Sequence, residues 1–365
     1  MSVRSFVLGM VCVLFVGGCS PLLPTAGPLE VERVFGEQGS FPGQFAYPRG
    51  IDFDGSFLWV VDKTARIQQI DPETGRAGYW WQMPESALGK PTGLTVGPAT
   101  LPDGSLGRGL YVADTHYHRV MVYALPEGMS DTPRQIEPTL LANFGGAGTG
   151  PGQFVYTTDV AVLLNEDGSA VERIYVSEYG GNDRISVFDA EYQFLFAFGK
   201  PGDGHDPTVL EFSRPQSMVI DTQRRELLVA DACNHRLGRF SLDGDLLGWI
   251  GSPELEMEAG GTRGLKDLAP GGAVRLDFPY MVTLLADSTV LVTEFGSSHL
   301  QRIDPVEGRS LGIFGTVGRG EGELATPWGA VVDDRVTYVL DSGNNRVVVT
   351  KLPGVRSVRA ERGLP

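Results

Sequence analysis

Short apolar stretches alternate with turns rich in Gly, Pro and Asp along most of this chain. The first unit shows the pattern at residues 50–53, 57–61, 66–70 and 78–81. Stretches of this length, separated by turns such as Asp54-Gly55, predict β-strands, and four in succession predict one antiparallel sheet. Segments with helical periodicity are nearly absent, so the pattern predicts an all-β fold.

The same two-part pattern occurs six times. A Gly-rich turn and, in most units, a Pro open one strand, and these openings lie at residues 45–50, 90–93, 154–159, 212–217, 278–281 and 326–329. A second strand then ends in an acidic residue, namely Asp62, Asp114, Glu178, Asp231, Glu294 or Asp341. An internal repeat of this length indicates units that bury their apolar faces against one another.

One repeat carries a recognisable signature. Asn234, His235 and Leu237 follow Asp231, and this run resembles the Asn-His-Leu motif of the NHL-repeat family. The resemblance implies a six-bladed β-propeller over residues 29–353, with four antiparallel strands in each blade. It leaves the function open, because the family includes lyases, RNA-binding modules, extracellular sensor domains and scaffolds.

The two ends of the repeat region predict how the ring closes. The last unit has no outer strand after residues 347–351, whereas residues 29–36 have the pattern of an outer strand and precede the first blade. We therefore expect this N-terminal strand to pair beside residues 346–350 and to close the last blade, which removes two open sheet edges.

The N-terminus resembles a bacterial lipoprotein signal. Arg4 precedes an apolar stretch at residues 6–16, and Val16-Gly17-Gly18-Cys19 has the form of a cleavage site that ends in Cys. We expect a signal peptide at 1–18, lipid on Cys19 and a tether at 19–28; an ordinary secretory peptide cut near Gly18 is the alternative. By resemblance to Gram-negative sorting, Ser20 favours the outer membrane, facing the periplasm or the cell surface.

Charge and cysteine content narrow the partners. The chain has 30 basic and 45 acidic residues, a net charge of −15, which argues against nucleic-acid binding. A short basic tail at 354–365 is the exception. Of the three cysteines, Cys12 and Cys19 belong to the N-terminal segment, which leaves Cys233 without a partner for an internal disulfide.

Strand direction predicts which residues meet at one end of the central channel. The residue after each opening Pro, or after its counterpart in blade three, begins an innermost strand at that end. These positions are Arg49, Thr92, Thr158, Gln216, Tyr280 and Trp328, with Asp159 close by. Converging polar groups and aromatic walls are typical of a ligand site. The alternative is that Arg49 and Asp159 only form a salt link across the channel.

Three further patterns bear on catalysis. Peptidyl-amidoglycolate lyases, which are six-bladed NHL enzymes, place zinc-binding His after the opening Pro of three blades, and none of the six positions here is His. His116 and His118 are the alternative metal ligands. The acid of each unit is usually followed by an Arg, and this repetition favours a structural bracket.

These patterns predict a binding or assembly module, for a protein or a small ligand, that needs no cofactor and performs no catalysis. The alternative is an exported lyase or hydrolase with its site at the channel rim.

Overall fold

The computed structural model describes residues 27–251 and 274–357. The described residues form six four-stranded antiparallel sheets, whose innermost strands contact one another in ring order around a central channel. This arrangement confirms the predicted six-bladed β-propeller. The predicted signal peptide, Cys19 and most of the tether lie outside the described residues, as do the basic residues of the tail beyond Arg356.

The first three blades contain the predicted strands, in order from the channel outwards. Blade 1 comprises Pro48–Phe53, Leu58–Asp62, Arg66–Ile70 and Ala77–Gln82. Blade 2 comprises Gly93–Thr100, Leu106–Asp114, Arg119–Ala124 and Leu140–Gly145. Blade 3 comprises Tyr156–Leu164, Val171–Tyr179, Arg184–Phe188 and Phe194–Phe198.

The last three blades repeat this order. Blade 4 comprises Pro215–Asp221, Glu226–Asp231, Arg236–Ser241 and Leu246–Gly251. Blade 5 comprises Pro279–Leu284, Val290–Glu294, His299–Asp304 and Arg309–Phe314. Blade 6 comprises Gly329–Val332, Thr337–Asp341, Arg346–Thr350 and, as its outer strand, Val31–Phe35.

Smaller elements complete the described chain. Three 3-10 turns, Thr115–Tyr117, Ala232–Asn234 and Ser342–Asn344, connect the second and third strands of blades 2, 4 and 6. The two-residue strands are Arg134–Gln135, Lys200–Pro201, Glu211–Phe212, Thr316–Val317 and Glu323–Leu324. Arg134–Gln135 pairs in parallel with the outer strand of blade 1, so the long connection between strands of blade 2 covers the edge of its neighbour.

The N-terminal strand closes the ring as predicted. Val31–Phe35 runs antiparallel to Arg346–Thr350, with Val31 opposite Thr350 and Phe35 opposite Val347. The Thr350 hydroxyl also donates a hydrogen bond of 2.7 Å to the carbonyl of Glu30. Residues from the two ends of the chain therefore share one sheet.

The acid and Arg of each unit form the expected structural bracket. In blade 4, Arg236 donates to Asp231 at 3.0 Å and to the carbonyls of Gly204 and Glu211, while Asp231 accepts the Ser213 amide at 2.7 Å. The bracket joins the loop that leads into the blade to its second and third strands. Blade 5 has His299 in place of the Arg, and both ring nitrogens of this buried residue lack partners among the described residues.

The ordered chain extends past the predicted domain bounds on both sides. The Gly27 carbonyl accepts the Gly315 amide at 2.9 Å, so the last residues of the proposed tether contact blade 5. At the other end, Ser357 bridges to Leu285, and the Ala286 amide donates to the Arg356 carbonyl. Residues 354–357 thus lie on the propeller and form no separate tail.

Candidate functional site

The central channel is a cavity of about 350 Å³ lined by the six innermost strands. Each of these strands starts at the same end of the channel, which we call the mouth. The far end lies beside Leu284, where blade 5's innermost strand ends and the lining includes Ser357. The chain segment that carries Ser357 therefore crosses the end opposite the mouth.

Six of the seven residues predicted at the rim line this cavity: Arg49, Thr92, Asp159, Gln216, Tyr280 and Trp328. Thr158 is not among them. Its buried hydroxyl donates to the Pro215 carbonyl at 2.6 Å and contacts the Ser177 hydroxyl at 2.7 Å. This short side chain is thereby held between blades 3 and 4, and Asp159 is the residue that blade 3 presents to the channel.

Two guanidinium groups stand over aromatic rings at the mouth. Arg49 lies 5.0 Å from the Trp328 ring centroid and 5.7 Å from that of Tyr47. Arg214 lies 4.9 Å from the Tyr179 centroid and 5.1 Å from that of Tyr280. Cation–π contacts of this kind hold a guanidinium in place without neutralising its charge.

Neither guanidinium has an ion-pair partner within the part of the chain that the structure describes. Arg49 Nε is buried without a hydrogen-bond acceptor, and Arg214 Nε donates to the neutral amide of Gln216 at 2.8 Å. The alternative expectation of a salt link between Arg49 and Asp159 is therefore wrong, because the charges that act on Arg49 come from Arg214 and from tyrosines. Burial lowers the pKa of Arg49, and repulsion from Arg214 lowers it further.

Aromatic side chains form one wall of the mouth. Tyr280 stacks on Phe295 with centroids 4.3 Å apart and meets Trp328 edge to face at 4.9 Å. Tyr47 contacts the other side of Trp328 at 6.0 Å. Trp328 is only 6% exposed, yet its indole Nε1 has no partner among the described residues, so a hydrogen-bond donor is left unused beside the cavity.

Two carboxylates line the channel below the mouth. Asp159 accepts the Met218 amide at 2.8 Å and the Thr95 hydroxyl at 3.3 Å. Burial raises the pKa of Asp159 to about 7, although these hydrogen bonds oppose the shift. Asp52 accepts the amides of Phe53 and Val96, each at 2.7 Å. Both carboxylates thus join one blade to the next.

Sequence analysis missed the residues that precede the opening prolines. Tyr47 and Arg214 have left-handed backbones, with φ of 52° and 61°, and Lys90, Phe278 and Thr326 share this conformation. The amide of Tyr47 donates to Asn345 at 2.7 Å and that of Arg214 to Asp183 at 2.6 Å, each on the preceding blade. The repeated position before Pro was the signal that could have identified them. Tyr179 and Phe295 follow the acid of their units.

The histidines take part in this architecture. His235 accepts the Phe278 amide at 3.3 Å, and His118 Nδ1 contacts the Val155 carbonyl. Burial and the nearby cations Lys90 and Arg49 lower the pKa of His116, which favours a neutral ring. No group of three or more potential metal ligands occurs within residues 27–251 and 274–357, so the His116–His118 metal site gains no support.

Together these features define a six-bladed β-propeller with a cationic, aromatic channel mouth. The NHL repeat family model matches residues 212–240, which confirms the resemblance drawn from Asn234, His235 and Leu237. No curated protein matches the sequence.

Three solved structures share the fold. A structural genomics protein of unknown function from Bacteroides thetaiotaomicron VPI-5482 is 15% identical, with a TM-score of 0.54 over 90% of this chain and 73% of that one. Virginiamycin B lyase from Staphylococcus aureus is 11% identical, with a TM-score of 0.51 over 88% and 99%. A streptogramin B lyase is 14% identical, with a TM-score of 0.50 over 88% and 97%. At these identities the likeness concerns the fold alone.

Proposed function

We propose that this protein is a binding module that takes a small anionic ligand with a planar ring into its channel mouth. The observation that carries the proposal is the pair of guanidiniums, Arg49 and Arg214, that face the mouth without a carboxylate partner among the described residues. A carboxylate or phosphate would match the fork of donors that each Arg presents.

The wall of Tyr280 and Trp328 supports the ring in this proposal. Both side chains are 6% exposed and line a cavity of about 350 Å³, a size that suits a small molecule. The free indole N–H of Trp328 adds a donor for the same ligand. A ligand anion would also relieve the repulsion between Arg49 and Arg214.

Titration calorimetry with a panel of ring-bearing carboxylates and phosphate monoesters tests the proposal. We expect at least one probe to bind, and we expect Arg49→Ala to weaken it about tenfold to hundredfold, because a hydrogen bond to a charged group contributes about 1.5–3 kcal/mol. Arg134→Ala is the matched control, since it removes one positive charge from an exposed strand outside the channel. Equal affinity in all three proteins would overturn the proposal.

We also propose that the propeller is anchored in the cell envelope through lipid on Cys19, at the outer membrane, with the mouth serving a ligand or protein met there. The N-terminal pattern of Arg4, residues 6–16 and Cys19 supports this placement. The described chain has no helix with the length and apolar character of a membrane span. Cys19→Ser should move the protein from the membrane fraction to the soluble fraction; unchanged fractionation would contradict lipid attachment.

An exported lyase or hydrolase is the second candidate, and Asp159 is the observation that favours it. A carboxyl with a pKa of about 7 that lines a ligand channel is suited to proton transfer near neutral pH. Turnover of a bound probe that Asp159→Asn abolishes without loss of binding would favour the enzyme. Binding without turnover favours the module.

A further inference from the structure

The charges along the channel are arranged in two layers of opposite sign. The mouth carries Arg49 and Arg214, whereas the interior presents the carboxylates of Asp159 and Asp52. Asp52 lies three residues further along its strand than Arg49, a depth of about 10 Å at the usual strand rise. A ligand that enters from the mouth meets cations first and carboxylates second.

Both carboxylates are held rigidly for this role. The Met218 amide fixes Asp159 from blade 4, and the Val96 amide fixes Asp52 from blade 2. A carboxylate accepts up to about four hydrogen bonds, so these amides leave acceptor capacity for a ligand. Preorganised acceptors bind a cationic group without a further loss of conformational entropy.

No basic side chain faces Asp159 from the described elements that pack against it. Its neighbours there are the Thr95 hydroxyl of blade 2, the Ser217 hydroxyl and Met218 amide of blade 4, and the amide of Val160. The other ionisable residues that line the channel are Arg49, Asp52 and Tyr280. A buried carboxylate without a cation is costly in the ionised state, and a ligand ammonium would offset that cost.

From this arrangement we infer that the ligand is a zwitterion: a ring-bearing amino acid derivative whose anionic group binds Arg49 and Arg214 and whose ammonium group binds Asp159. The inference rests on the proposed function of the mouth. Trp328 and Tyr280, which line the cavity, would contact the ring between the two charged groups.

A matched pair of probes tests this ligand class. 4-(Aminomethyl)benzoate carries both charges, whereas 4-methylbenzoate has the same ring and carboxylate without the ammonium. By calorimetry at pH 8 we expect the zwitterion to bind at least tenfold more tightly. At pH 5.5 the preference should shrink several-fold, because Asp159 is then largely protonated.

Asp159→Asn separates charge from shape in this experiment. Asn keeps an oxygen that can accept the Met218 amide, so we expect 4-methylbenzoate to bind within about twofold of wild type while the preference for the zwitterion disappears. Asp103→Asn is the control, because it changes net charge equally at an exposed turn. Its preference should equal that of wild type.

The outcomes distinguish the inference from the function on which it rests. If the two probes bind wild type equally well, or if the preference survives in Asp159→Asn, the zwitterion is excluded and anion binding stands. If Arg49→Ala leaves the affinity of both probes unchanged, the mouth is not the binding site and both proposals fall.

Discussion

At the residue scale, the mouth depends on side chains carried by left-handed backbone positions. Tyr47 and Arg214 each precede a Pro and have positive φ, a conformation that costs a non-Gly residue about 1 kcal/mol or more. Inter-blade hydrogen bonds to Asn345 and Asp183 hold these positions. Because the conformation recurs before all five opening prolines, it belongs to the blade architecture, and the ligand site uses the directions it provides.

Asp159 gives a prediction about stability at this scale. Its pKa is about 7 in the folded protein against an ordinary value of 3.8, so the folded state binds the proton more tightly than the unfolded state. By linkage, its contribution to the free energy of unfolding falls as pH rises from about 4 to about 7. We therefore expect Asp159→Asn to gain stability relative to wild type over that range.

Urea unfolding of both proteins at pH 4.5 and pH 8 measures this difference. The variant should exceed wild type by more at pH 8 than at pH 4.5, by an amount on the order of 1 kcal/mol or more. Asp103→Asn, at a fully exposed turn, should show no such gain. A difference between Asp159→Asn and wild type that does not change with pH would mean that Asp159 is not strained by burial.

The mouth was predictable from sequence only in part. Arg49, Tyr280 and Trp328 follow a repeated Pro, so strand direction sufficed to place them at one rim. Arg214 was not predictable in this way, since a residue before Pro is expected to be extended. Thr158 has the same place in the repeat as Arg49, but its short side chain bonds between blades, a choice that strand direction does not decide.

At the element scale, turn signals and apolar runs predicted the strands closely. The predicted outer strand at 78–81 is Ala77–Gln82, and the predicted clasp pairs with Arg346–Thr350. Arg134–Gln135 escaped prediction, because two residues carry no periodicity and the strand forms only against blade 1. Isolated pairs of this kind depend on tertiary contacts.

The clasp supplies the prediction for elements. Deletion of residues 29–36 removes the outer strand of blade 6 and the packing of Phe35 and Leu29 against their clusters. Ladder bonds contribute about 1 kcal/mol net each, so the loss should be several kcal/mol and the melting temperature should fall by many degrees. Val34→Ala, at a side chain 42% exposed, should change it little. An unchanged transition in the deletion would contradict the clasp.

At the scale of the whole molecule, ring closure creates the site. Tyr47 and Asn345 are 298 residues apart in sequence and 2.7 Å apart in space. The ring also concentrates Arg49, Arg214 and Lys90 at one mouth of a chain whose net charge is −15. Low-dielectric walls around such a cationic mouth focus its field on small anions, while the acidic remainder disfavours nucleic acid.

A crystal of the protein soaked with 4-bromobenzoate tests the central claim most directly. The bromine marks the ring by its anomalous scattering, and the carboxylate reports the anion contact. We predict one dominant anomalous peak beside Trp328 and Tyr280, with the carboxylate within hydrogen-bond distance of Arg49 or Arg214. A dominant peak elsewhere, or an empty mouth at a concentration that saturates binding in solution, would contradict an anion site in the channel.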